Sequence, residues 1–204
     1  MAQGTENMNP RERVEAVYAG KIPDQVPLLL DLSHWYKKNY HKEFNLAGYQ
    51  EVDEGLVQLH KEVGAVCYCE MGGFYSLTPE SKDIVFTTDT KDGIFSTKIS
   101  TPLGTLFEER SFSNNSYSYN IKKHLLESVE DFKIVEYLMD NLICTPQWEK
   151  YERWNNALGE YGYPYTQLPY SGLGYLISRN FGVEPTVYAD MDYPDEMKSL
   201  VESV

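Results

Sequence analysis

The chain reads as an α/β protein, and three observations lead there. Apolar helical stripes end in glycine and run into short apolar stretches, the order produced when parallel strands are joined by crossovers. Residues 82–121 instead carry β-branched and aromatic runs broken by turn residues, which predicts antiparallel hairpins. From Ser128 onward amphipathic helical spacing returns. With 204 residues, 42 % of them apolar, the chain can bury a core as one domain or at most one and a half.

Residues 1–8 read as a flexible leader. Asn9, Pro10 and Glu12 then have the spacing of a capped helix start, with Val14, Val17 and Tyr18 on its apolar side and Gly20 as its stop. Ile22 to Gln25 is a turn, and Val26 to Leu30 reads as a short buried strand. Ser33 to Tyr40 is helical or irregular. Tyr49 to Val63 predicts a helix, since Val52, Leu56, Leu59 and Val63 fall on one stripe, with Gly64 as its stop. Ala65 to Cys69 is the next buried strand, broken by Gly72-Gly73.

The character changes at Lys82. Ile84–Thr88, Ile94–Ser100 and Thr105–Phe112 read as strands, separated by Asp92-Gly93 and Pro102-Leu103-Gly104, with Tyr117–Ile121 as a further candidate. Ser128 to Met139 predicts a helix opened by Ser128 and Asp131 in capping-box spacing. Pro146 opens another, carrying Trp148, Tyr151 and Trp154, and Gly159 to Gly162 closes it. Tyr165 to Leu168 is a strand candidate. Gly172–Phe181, Pro185–Met191 and a segment from Asp192 complete the helical set. Met197, Leu200, Val201 and Val204 form an apolar face that stops abruptly, which reads as a chain continuing further.

Thirty-one Asp and Glu against eighteen Lys and Arg give a net charge of −13. Such a surface repels phosphate backbones, which argues against nucleic-acid binding but leaves room for a small anion in a local positive pocket. No apolar run approaches the ~18 residues of a membrane helix, so no membrane partner is expected. Three cysteines make no disulfide scaffold, and a reducing, cytoplasmic setting fits them.

In parallel α/β architectures the carboxyl ends of strands face the site. Glu70 follows the second apolar strand and is the candidate for proton transfer or substrate orientation; otherwise it is a solvent-facing loop residue. Asp31, His34, Tyr36 and Lys37 follow the first strand and are either pocket residues or loop packing. Tyr175 lies beyond the Tyr165–Leu168 segment and is spaced to point back or to join the core. Cys67 and Cys69 share one face of a strand. They are either core residues or, less simply, zinc thiolates, with no histidine near them in sequence. No phosphate-binding glycine loop and no nucleophile elbow occurs.

Asn9-Pro10-Arg11-Glu12-Arg13-Val14, followed by Gly20 and by Pro23-Asp24-Gln25-Val26-Pro27, resembles the opening helix and strand entry of the uroporphyrinogen decarboxylase superfamily. Thr101-Pro102-Leu103-Gly104-Thr105-Leu106 is similar to the hairpin of its methyltransferase branch. Ser128-Val129-Glu130-Asp131-Phe132 with Tyr137-Leu138 resembles the helix after it. The resemblance runs from about Asn9 to the end. It implies that residues 9–204 are the N-terminal part of a distorted TIM (β/α)8 barrel with an inserted hairpin region at about 82–121. A whole barrel takes about 250 residues, so the missing half or a second copy would complete it.

The decarboxylase's paired substrate-gripping arginines fall on Leu32 and Tyr36, so neither is kept. Its catalytic aspartate falls at Glu70 and its substrate-contacting tyrosine at Tyr175. Loss of both arginines argues against a polyanionic porphyrinogen substrate. The other branch transfers methyl groups to or from corrinoid proteins with zinc, whose ligands lie in the C-terminal half and not in this chain. The resemblance therefore implies zinc-dependent methyl transfer involving a small donor or thiol and a corrinoid partner, with Asp31, His34, Tyr36 and Tyr175 lining the pocket and Glu70 catalytic. Decarboxylation of another substrate, and a non-catalytic binding or scaffold role, are the rival expectations.

Overall fold

A computed structural model describes residues 7–40, 51–69, 71–113, 118–166, 168 and 170–204. Helix α1 (Pro10–Tyr18) opens with the expected capping box: Asn9 accepts from the Glu12 N–H at 2.9 Å, and Glu12 accepts from the Asn9 N–H at 2.8 Å. Strand β1 is only Leu29–Leu30, followed by α2 (Ser33–Asn39). The expectation of a buried strand over Val26–Leu30 is corrected: Val26 is 88 % and Leu28 54 % exposed. Among the described residues β1 has one partner strand, so its backbone is held along one edge only.

Helix α3 (Glu54–Val63) starts at Asp53, whose carboxylate accepts from the Gly55 and Leu56 N–H groups, and ends at Gly64 with φ +69°. The helix begins later than the Tyr49 start that the stripe predicts; residues 49 and 50 lie outside the described residues. Strand β2 (Val66–Cys67) runs parallel to β1, with Leu29 opposite Val66 and Leu30 opposite Cys67.

Next come β3 (Tyr75–Pro79), β4 (Val85–Lys91), β5 (Ile94–Thr101), β6 (Gly104–Ser113) and β7 (Ser118–Lys123). Strands β4 to β7 form a four-stranded antiparallel sheet in sequence order, turning at Asp92-Gly93 and at Pro102-Leu103. These are the runs that turn chemistry delimits. Asp92, at φ 52°, and Gly93, at 75°, supply the left-handed pair that a tight hairpin demands. Helix α4 (Phe132–Asp140) follows a short 3-10 turn; Asp131 accepts from the Ser128 N–H at 3.2 Å. Strand β8 (Leu142–Pro146), which pairs with β3, was not anticipated, and Pro146 ends it rather than opening a helix.

Helix α5 is Trp148–Leu158. The strand candidate at Tyr165–Leu168 is also corrected: Tyr165, Thr166 and Leu168 are not in a strand, and residue 167 lies outside the described residues. The parallel contact comes earlier, as a single bridge between Gly162 and Cys67. Glycine is needed there because a Cβ would stand 2.6 Å from the Leu158 Cδ2. Helices α6 (Gly172–Tyr175), α7 (Val183–Asp192) and α8 (Pro194–Ser203) close the chain, with one π turn after α6. No helix among the described residues is long and apolar enough to cross a membrane.

The result is a mixed α/β structure with small sheets, divided into two units. The first is Met1–Tyr75 with Pro146–Gln167, and its core joins Tyr36, Leu56, Val57, Cys67, Cys69, Met71, Trp154 and Leu158. The second is Ser76–Thr145 with Leu168–Val204, where Leu106, Leu126, Phe132, Val135, Leu176, Met197 and Leu200 are the most deeply buried members of an apolar core.

Candidate functional site

The chemically distinctive groups of the first unit gather where its parallel segments end. Asp31 follows β1 directly, Cys69 lies two residues past the end of β2, and Tyr165 lies three residues past the Gly162 bridge. The pairing is tied by the Val66 N–H donating to the Leu28 carbonyl and the Tyr68 N–H to the Leu30 carbonyl. Tyr165 then donates its hydroxyl to the Cys69 carbonyl at 2.6 Å, and its ring stacks on Tyr68 at 4.8 Å.

Asp31 is exposed, and its carboxylate accepts from the Ser33 N–H at 2.9 Å and from the Ser33 hydroxyl. It therefore fixes the start of α2. His34 sits exposed in the first turn of α2. Tyr36 is buried, and its ring belongs to the core. Its hydroxyl donates to Asp53 at 3.1 Å and lies so close to Gly55 that any Cβ there would collide with it. Burial, then the Asp53 carboxylate, pushes the Tyr36 phenol up from its ordinary range. Tyr175 belongs to the second unit, in α6, and is half-buried. Glu70 lies outside the described residues.

Three further groups emerge from the folded chain. Lys37 is 5 % exposed; burial lowers its pKa, opposed by Asp53 and then Cys69. Lys150 is buried and donates to the Gly73 carbonyl at 2.9 Å. His60 is completely buried, next to the paired thiols. The Cys67 and Cys69 sulfurs are 3.8 Å apart on one face, as their spacing predicts. Sequence reasoning passed over His60 because it looks for partners nearby in sequence. A usable signal was present: His60 lies four residues before the helix stop Gly64, and a short link to a buried strand lays that last turn against the strand.

These groups can orient a small polar molecule, hold an anion and carry a nucleophilic sulfur. As for zinc, no three His, Cys, Asp or Glu side chains among the described residues form a metal-holding set. His60 cannot join the two sulfurs as a ligand, because both its ring nitrogens face backbone carbonyls. No protein-family model, no curated protein and no solved structure matches the chain.

Proposed function

We propose that the chain is the N-terminal part of a uroporphyrinogen-decarboxylase-like barrel that takes part in methyl transfer between a small donor or thiol and a corrinoid protein. The observation that supports this reading is the order of the parallel segments. β1, β2 and the Gly162 bridge lie side by side and parallel in chain order, with α2 and α3 between the first two and β3 to α5 between the second and third, as successive barrel strands with an insertion would. Exposed apolar residues agree with a barrel completed by further chain or by a partner. Val26 and Leu28 lie uncovered beside β1, and Val183, Val187 and Met191 on α7.

In this reading the site is the carboxyl end of β1 and β2. Asp31 orients the substrate, Glu70 moves a proton, and Lys37 offers a cation in a setting that excludes water. Zinc would supply Lewis-acid activation of a thiol; the family resemblance puts its ligands and the corrinoid in the remainder of the assembly, and the described residues form no set that fits the metal. A reducing, cytoplasmic setting suits the three free thiols.

Decarboxylation of a small anionic substrate is the second reading, favoured by the buried Lys37 cation on α2. The test uses the complete native polypeptide, whose intact mass is measured first. Supplied with zinc, methylcobalamin and a small thiol, it should lose the methylcobalamin spectrum, and Glu70→Gln should slow this roughly 100-fold, as loss of an acid–base group does. Carbon dioxide release that survives chelation would replace methyl transfer by decarboxylation. Neither activity would leave the scaffold role.

A further inference from the structure

His60 lies in the last turn of α3 with no exposed surface. Its Nδ1 is 2.7 Å from the Leu56 carbonyl oxygen and its Nε2 3.0 Å from that of Leu30. Carbonyl oxygens only accept, so satisfying both contacts requires a proton on each nitrogen, which is the imidazolium. A cation buried so deeply needs a counter-charge. The neighbouring Cys67 sulfur, which acts on His60 electrostatically, provides it as a thiolate; a thiolate only accepts, so in the 3.8 Å contact between the two sulfurs Cys69 is the donor.

The charged surroundings agree with this division. The Cys69 hydrogen bond, opposed by burial and reinforced by His60, lowers Cys67 to about 6, while Asp31 beyond β1 acts weakly against it. Cys69 is pushed up by its neighbour Cys67, then by burial and Asp31, with Lys37 from α2 opposing. Burial alone would lower His60; the Cys67 sulfur and the two carbonyls together outweigh it and raise it. One proton is thus shared between two sulfurs, with Cys67 the one that gives it up.

We propose that Cys67 and Cys69 form an oxidisable dithiol that reacts with small hydroperoxides, Cys67 as the attacking sulfur and Cys69 as the resolving one. The Cys67 thiolate attacks the terminal oxygen of the peroxide; the O–O bond breaks, a sulfenic acid forms, and the departing alkoxide or hydroxide takes a proton from solvent, to which His60, left without its counter-charge, returns one. The Cys69 sulfur then attacks the Cys67 sulfur; the S–O bond breaks, and hydroxide leaves with the Cys69 proton as water. Two thiols lose two electrons to one peroxide, which becomes an alcohol, or water, plus water. A hydroperoxide is the fitting oxidant because both sulfurs are 1 % exposed, which admits a water-sized molecule during local opening and excludes a bulky disulfide. Closing the bond brings the sulfurs from 3.8 Å to about 2.05 Å and draws on Cys69, whose carbonyl holds Tyr165. The reaction is independent of methyl transfer.

The test takes the reduced full chain, adds hydrogen peroxide in steps, blocks remaining thiols and maps the cysteines by mass spectrometry. The Cys67–Cys69 disulfide should form in the folded protein, while a bulky aromatic disulfide labels only the exposed Cys144. Its rate should be half-maximal near pH 6 and flat above pH ~7, where an ordinary thiol gains about tenfold per unit up to pH ~8.5. Cys69→Ser should stop at a Cys67 sulfenic acid that dimedone traps. Oxidation of the pair only in denaturant, or a rate still climbing tenfold per unit through pH 8, would overturn the proposal. Both of those readings come from the unsubstituted chain, so a variant that fails to fold does not blunt them.

Discussion

The two units of the chain solve the burial problem in opposite ways. The second packs helices and a long antiparallel sheet around an apolar core; among the described residues its buried polar side chains are Glu108, held by Arg110 at 2.7 Å, Asn180 and Thr186. The first has parallel strands of two residues each and buries Lys37, His60, Lys150 and two thiols among its apolar side chains. Charged and polar groups in a core lower stability unless every one finds a partner. Stability is therefore expected to come from packing in the second unit and to be traded for reactive groups in the first.

The sharpest break of that contrast is Phe132→Ala. Phe132 is 2 % exposed and meets Phe181 edge-to-face at 5.5 Å, so truncation should lower stability by about 3–5 kcal/mol. Urea unfolding followed by circular dichroism measures it, and a loss below ~1 kcal/mol would end the claim that packing dominates there. Gly172→Ala comes next. Its Cβ would collide with the Val201 carbonyl, a backbone group that cannot swing aside, and a loss of about 1–3 kcal/mol should appear in the same transition.

In the first unit a single polar contact is the smaller target. Tyr165→Phe removes the hydroxyl from the Cys69 carbonyl and should lower stability by about 0.5–1.5 kcal/mol. Tryptophan fluorescence suits this case, since Trp35, Trp148 and Trp154 all lie in that unit. The smallest effect concerns pH. The hydrogen bond from Arg13, opposed by burial, lowers Asp24 from 3.8 to about 2. A depressed carboxylate stabilises the fold above its unfolded value and loses that contribution as pH falls through its folded one. Stability relative to Asp24→Asn should hence be constant above pH ~5 and shrink between 3.8 and about 2. A gap that widens on acidification would contradict it.

The same contrast governs what could be read from the sequence. Strands β4 to β7 were readable because their turns are local: Asp92-Gly93 and Pro102-Leu103-Gly104 set the hairpins within a few residues. Helices α1 and α3 were readable from caps and stripes. The parallel segments were located to within a few residues but their burial was misjudged at β1, since what covers a strand lies far away in sequence. Gly162 was missed as a strand contact because its role depends on Leu158 packing over it. Of the site, the ends of β1 and β2 were foreseen through Asp31, Cys67 and Cys69. His60 was not, because its link to the thiols runs through the last turn of α3 packing on β2 rather than through residues adjacent in sequence.

The first unit is also discontinuous in the chain, Met1–Tyr75 being completed by Pro146–Gln167. During synthesis the thiols and His60 leave the ribosome well before Trp154 and Leu158, the side chains that seal their core. At about 5–20 residues per second the gap of roughly 90 residues lasts about 5–20 s. For that interval the nascent chain carries a half-built core with its reactive sulfurs open to solvent. A chaperone, or an early fold of the intervening hairpins, would have most to protect in those seconds.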